Sequence, residues 1–150
     1  MNTIQRSKTI DLNGRRWELR KLSPIVGSFI WQRLMGACFK AQESIAHDEI
    51  KMDSATAEAA AKATPEERLR TLCGIAFMHL SLDDFTFTQN SCMKAISRYE
   101  MMGESEQPIP IMTSDGSWAA HELEDNPFLV TKLTVEALVF SLASFLSEGA

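Results

Sequence analysis

Ser91 and Lys94 stand in a Ser-x-x-Lys spacing, which in acyl-transfer enzymes sets a hydroxyl nucleophile one helical turn from an amine. Neither companion motif of that chemistry, Ser-Asp-Asn or Lys-Thr-Gly, occurs in the chain. Two fixed residues match by chance, so the pair reads as the surface of a helix. His121-Glu122 opens like a His-Glu-x-x-His zinc site, in which two imidazoles one turn apart hold the metal. Asp125 occupies the position of the second histidine, so a solvated acidic loop is the better reading. His47, His79 and His121 fall in three separate elements, with no cysteine pair at metal-ligand spacing to join them. A Gly-rich phosphate loop, a Gly-x-Ser-x-Gly elbow and a calcium-loop pattern are all missing from the sequence. Catalytic residues, metal ligands and cofactors are therefore not expected, and the chain reads as a binding protein and not an enzyme.

The elements that must carry any binding surface come next. One hundred and fifty residues, 45% of them hydrophobic and 23% charged, fit a single soluble domain over 1–150. No apolar run follows the charged start, so a secretory signal is not expected. The longest uncharged apolar stretch, 137–147, is about half of the ~20 residues that cross a bilayer, so no membrane partner is expected and the chain is placed in the cytoplasm. Cys38, Cys73 and Cys92 are odd in number and sit in apolar helical patterns, which predicts reduced, buried thiols.

Charge is unevenly placed. Residues 1–40 hold eight Lys or Arg against Asp11 and Glu18, a balance of +6, whereas 41–150 hold seven against eighteen, a balance of −11. The basic head, with Arg6, Lys8, Arg15, Arg16, Arg20 and Lys21, could neutralise phosphates. The acidic body would repel the same polyanion, so nucleic acid is disfavoured. A second use of the head is docking on an acidic surface of a partner or of another copy, and head-to-tail contacts of that kind build rings or filaments.

Residues 7–22 carry alternating runs around Asn13-Gly14, the preferred pair of a type I′ turn. The spacing predicts a β-hairpin with Leu12 opposite Arg15, Ile10 opposite Trp17 and Lys8 opposite Leu19 on one face, and Asp11–Arg16 and Thr9–Glu18 on the other. A lone hairpin is marginal in water, so Ile10 and Trp17 must pack on a helix or on another chain. Ser23-Pro24 caps a helix over 24–47 whose stripe is Val26, Phe29, Ile30, Leu34, Ala37, Cys38, Ala41 and Ile45. Residues 51–63 have helix propensity without large apolar anchors, which predicts an exposed helix or a linker. Thr64-Pro65-Glu66-Glu67 opens a helix over 65–81. A third helix is expected over 88–102 from Cys92, Met93, Ile96 and Tyr99, then a loop over 103–126 with a second short hairpin between 109–112 and 118–120 as an option. Asp125 or Asn126 caps a last helix over 127–147, apolar around nearly its whole circumference.

The expected fold is mainly α (α+β): a single helical domain with an N-terminal β-hairpin. Eight methionines suit both core filling, expected for Met35, Met78 and Met93, and an adaptable binding patch at Met101, Met102 and Met112. Trp118 and the surplus apolar face of the last helix, with Phe128, Phe140 and Phe145, extend that patch. Ile10, Trp17, Arg15 and Arg16 of the hairpin complete the candidate partner-binding set.

The order of these elements resembles a known family. The hairpin ends in Leu19-Arg20-Lys21-Leu22-Ser23-Pro24, a long helix follows, and after a variable middle come Glu124-Asp125-Asn126-Pro127-Phe128 and Ala137-Leu138-Val139-Phe140-Ser141-Leu142-Ala143-Ser144-Phe145. The pattern resembles the tail assembly chaperones of long-tailed bacteriophages over roughly the first 45 and last 30 residues. The resemblance implies a protein of the host cytoplasm, not kept in the mature virion, that binds the tape measure protein, keeps it soluble and recruits tail tube subunits. It also implies that a longer product can arise by ribosomal frameshifting. Self-association into a homo-oligomer is expected through the hairpin or the last helix. The family supplies no catalytic residue to carry over. Two alternatives remain: a structural virion or adaptor protein of similar fold, and a small nucleic-acid-binding regulator.

Overall fold

The computed structural model describes residues 6–48 and 62–148. Its chain order is β1 (Ser7–Leu12), β2 (Arg15–Arg20), α1 (Pro24–Asp48), α2 (Pro65–Phe77), α3 (Leu82–Lys94), β3 (Ile96–Met102), β4 (Ser105–Pro110) and α4 (Pro127–Glu148), with one 3₁₀ turn at His121–Leu123. The architecture is α+β: four helices and a four-stranded antiparallel sheet in the order β1-β2-β3-β4.

The first hairpin forms in the register its sequence predicts, Leu12↔Arg15, Ile10↔Trp17 and Lys8↔Leu19. Asn13 and Gly14 both take positive φ, 53° and 73°, as a type I′ turn requires. Its apolar face settles on its own chain: Trp17 and Leu19 are buried in the core, and the Trp17 indole N–H donates to the Leu12 carbonyl at 3.0 Å. The opposite face stays polar. There the Arg16 guanidinium lies 4.8 Å from the centre of the Tyr99 ring, whose hydroxyl donates to Glu18 at 3.2 Å.

The helix expected over 88–102 is corrected. α3 starts earlier, at Leu82, where the Ser81 hydroxyl accepts from the Asp84 N–H at 3.1 Å, and it ends at Lys94. From Ile96 the chain turns into β3, because Leu19, Glu18 and Trp17 of β2 pair with Ile96, Ser97 and Arg98. The apolar period of α3 runs smoothly into Ile96, so only this long-range pairing separates strand from helix. The expected loop over 103–126 is corrected in part: Ser105–Pro110 forms β4, closing on β3 across Gly103, whose φ is +69°. The optional second hairpin is reduced to a bridge between Met112 and Trp118. Pro108 and Pro110 lie in β4, which has β3 as its sole neighbour in the sheet.

α2 has the predicted capping box: the Thr64 hydroxyl accepts from Glu67 N–H at 3.2 Å and the Glu67 carboxylate accepts from Thr64 N–H at 3.4 Å. It stops at Phe77, short of residue 81. Asn126 caps α4, its side-chain oxygen accepting from Leu129 N–H at 3.1 Å. All but the last two residues of the 51–63 stretch lie outside the described residues.

α4 runs through the centre. Leu129, Val130, Leu133, Ala137, Leu138, Val139 and Leu142 are buried against α2, α3 and β2, and Thr134, also buried, returns its hydroxyl to the Val130 carbonyl at 2.8 Å. Pro127–Leu146 is long and apolar enough to cross a membrane by length and composition. The uncharged stretch read from sequence is shorter because Lys132 and Glu136 interrupt it, and here half of the apolar window is inside the fold. The surplus expected of this helix is thus absorbed in part by its own neighbours, while Phe128 and Phe145 stay exposed. The three thiols are free; Cys73 and Cys92 are buried and Cys38 is half-buried. Burial pushes the Cys73 thiol up to about 12 and raises Cys38 and Cys92 as well.

Candidate functional site

A cation-rimmed apolar groove lies where the end of β2, the start of α1 and the end of α3 meet. The β2–β3 pairing brings these ends together: Arg20 N–H donates to the Ala95 carbonyl at 2.9 Å, and the Arg20 guanidinium donates to the Lys94 carbonyl at 3.2 Å. The next residues are pinned from below, Leu22 N–H donating to the Ser141 hydroxyl of α4 at 3.0 Å. Ser23 then caps α1, its hydroxyl accepting from Val26 N–H at 3.3 Å. The resulting groove is about 480 Å³, lined by Leu22, Val26, Phe87 and Ala95 with Arg20, Lys21, Lys94, Ser23 and Ser91 around them.

The apolar floor continues onto the solvent face of α1. Phe29 meets Phe87 edge to face at 5.2 Å between ring centres, and the Arg33 guanidinium lies 4.8 Å from the centre of the Phe29 ring. Ile25 is 85% exposed and Phe39 66% exposed. Gly36, between them in the helix, has open space where a Cβ would be. α1 therefore has two apolar stripes, one in the core and one facing water. From Ile25 to Phe39 the outward stripe spans about 21 Å of helix at about 1.5 Å per residue, about four turns along which another helix could lie.

Five arginines outside the groove lining are paired with carboxylates. Arg16 pairs with Glu106 at 2.6 Å, Arg15 with Glu122 at 3.7 Å, Arg33 with Asp84 at 3.8 Å and Arg70 with Glu136 at 3.0 Å. Arg98 meets both Glu100 and Glu122. At the groove, among the described residues, the Arg20 guanidinium donates to a carbonyl oxygen, and Lys21 lies over the Phe140 ring at 5.2 Å. The basic head of the sequence is thus split by the fold. Its turn end is neutralised by carboxylates, and its root joins Lys94 to form the cationic rim.

The residues singled out from sequence are scattered. Trp17 and Met112 are core residues and present no surface, because the hairpin lies on its own domain and Ile111–Met112 tucks beneath it. Ile10, Trp118 and Phe140 are half-buried against the same core. Met101 and Met102 are exposed at the tip of the β3–β4 hairpin, and Phe128 is exposed beneath the Lys132 ammonium, 4.5 Å from the ring centre. Phe145 stacks on Trp31 with centres 4.9 Å apart. Arg15 and Arg16 are ion-paired at the far end of the sheet from the groove. Met93 fills the core as expected and Met35 packs against it, but Met78 is 75% exposed just past the end of α2.

The sequence reading missed Ile25, Phe39 and Phe87 as surface residues, placed Phe29 in the core stripe, and read Lys94 as helix surface without joining it to Arg20 and Lys21. The available signal was that α1 carries more large apolar residues than one stripe holds. Ile25 and Phe39 fall off the core-facing period altogether. Among the described residues, no group of three or more His, Cys, Asp or Glu is arranged to hold a metal ion. Ser91 and Lys94 both line the groove. What the site offers is apolar contact plus positive charge. No family model, curated protein or solved structure matches the chain.

Proposed function

We propose that this chain is a protein-binding module that holds an apolar helical segment of a partner, acting as a tail assembly chaperone for the tape measure protein. The single observation that carries the binding reading is the water-facing apolar stripe of α1, Ile25, Phe29 and Phe39, continuous with Phe87 of α3. Large apolar side chains gathered on one face of a soluble domain mark an interaction site, and a helix laid along them is the form of recognition such a stripe suits. The identity of the client rests on the sequence resemblance. The recruitment of tail tube subunits and residence in the host cytoplasm rest on it too.

The stripe sits on α1 and not on α4, so the client surface proposed here differs from the one the sequence suggested. Co-expression with a tape measure protein tests the proposal. The client should move from the insoluble to the soluble fraction and co-purify with this chain. Ile25→Asp together with Phe39→Asp should abolish that rescue while leaving the chain itself folded, since both side chains face water. A client that stays insoluble, or is rescued equally by the double variant, overturns the proposal. Mass spectrometry of finished particles separates the chaperone from a structural virion protein, which would remain in them.

A further inference from the structure

The uncommitted charges around the groove say what kind of segment it accepts. Five arginines elsewhere in the fold each meet a carboxylate, although the chain has twenty acidic residues against fifteen basic ones. Among the described residues Arg20, Lys21 and Lys94 meet no carboxylate, and the residues lining the groove include these three cations and no acid. Lys94, in the last turn of α3, is favourably placed with respect to that helix's dipole, but this does not require Arg20 and Lys21 beside it. The cluster surrounds a mostly apolar floor of Leu22, Val26, Phe87 and Ala95, with Phe29 and Ile25 extending it along α1.

We infer that the groove between α1 and α3 recognises an acidic amphipathic helix of the partner protein, its carboxylates meeting Arg20, Lys21 and Lys94 and its apolar side chains covering Val26, Phe29 and Phe87. Charge complementarity sets the sign of the ligand, and the ridge of Ile25 and Phe29, one turn apart, sets its form, since ridges of this spacing pack into the grooves of another helix. Nucleic acid fits less well. Three cations on an apolar floor give few phosphate contacts, and the Phe29 and Phe87 rings engage each other edge to face instead of offering paired faces for base stacking. The inference rests on the protein-binding reading above and names the chemistry of the segment that is bound.

The test uses the full chain and a fluorescein-labelled synthetic helix, with leucines on one face and glutamates flanking them, followed by anisotropy. The peptide should bind, more weakly as salt rises. Lys94→Glu and Arg20→Glu should each weaken it about tenfold, because attraction becomes repulsion at a partly desolvated contact. Phe87→Ala should weaken it several-fold, which a purely ionic site would not do. Ser91→Asp places a carboxylate in the groove without touching the Arg20 contact, and should also reduce binding if either reversal disturbs folding. Equal binding of a peptide with lysine in place of glutamate overturns the inference. So does equal, equally groove-dependent binding of a single-stranded oligonucleotide or of anionic vesicles. Conversion of an oligomeric wild-type chain to monomers by Lys94→Glu also overturns it, by showing that a second copy fills the groove. Loss of peptide binding with client rescue intact removes this inference and leaves the broader proposal standing; peptide binding without rescue does the reverse.

Discussion

Trp17 and Leu12 are joined across the first hairpin by an indole N–H to carbonyl hydrogen bond of 3.0 Å. The bond holds the larger of the two fully buried side chains of β2, Trp17 and Leu19, and orients it toward the core. A buried indole needs such an acceptor, and the hairpin supplies it five residues upstream. Trp17→Phe removes the bond and part of the volume, and should cost about 1–3 kcal/mol. Trp17→Ala should cost about 3–5 kcal/mol through the cavity it leaves. Urea unfolding of the two variants checks both the order and the size, and equal small losses would show that the hairpin is not part of the core.

Gly36 and Gly74 provide a matched pair. Both are exposed, both lie inside helices, and a Cβ at either meets nothing within 4 Å. Gly36→Ala and Gly74→Ala should each stabilise the isolated chain by about 0.5–1 kcal/mol, since glycine is the costlier residue in a helix interior. They should part in the client assay. Gly36 lies on the apolar stripe of α1, where a missing side chain lets a second helix approach closely, so Gly36→Ala should reduce client rescue while Gly74→Ala leaves it unchanged. Equal rescue by both would mean that the stripe is not contacted near its middle.

The buried thiols give a pH dependence with a definite sign. Cys73 is held at about 12 against an ordinary value of 9.0, burial being the larger cause and the neighbouring Cys38 the smaller. The folded chain therefore keeps the proton longer than the unfolded chain. Its contribution to stability is complete below about pH 9 and is lost progressively as pH rises toward 12. Over that window each pH unit removes up to about 1.4 kcal/mol. Cys73→Ala should flatten the alkaline decline of the urea midpoint between about pH 9 and pH 11; an unchanged slope would assign the decline to other groups. In the native chain Cys38, the most accessible of the three, should react first with a thiol reagent.

Local chemistry made much of this fold legible before any coordinates. Asn13-Gly14 fixed the first hairpin to the residue, and Ser23-Pro24, Thr64-Pro65 and Asn126-Pro127 marked three of the four main helix starts. The failures cluster where distant partners decide. Ile96 follows the helical period of Cys92 and Met93, and only its pairing with Leu19 makes it a strand. Pro108 and Pro110 looked like loop residues because proline cannot supply a ladder donor, yet an edge position tolerates that lack. The binding groove was still less readable. Lys94 is more than seventy residues from Arg20 and Lys21, and their meeting depends on the same β2–β3 pairing. The apolar members of the binding set read from sequence were chosen by hydrophobicity, and so included Trp17 and Met112, which the core encloses.

The two prolines of β4 have an effect on the whole sheet. A strand that cannot donate at positions 108 and 110 offers a poor template for a further strand, so extension beyond β4 is blocked. The opposite margin, β1, has no proline and carries charge at Lys8 and Asp11. Sheet growth on this molecule is one-sided, and the conditions that would start it are those that discharge or crowd the N-terminal margin. One flank of the sheet is thus closed to further pairing.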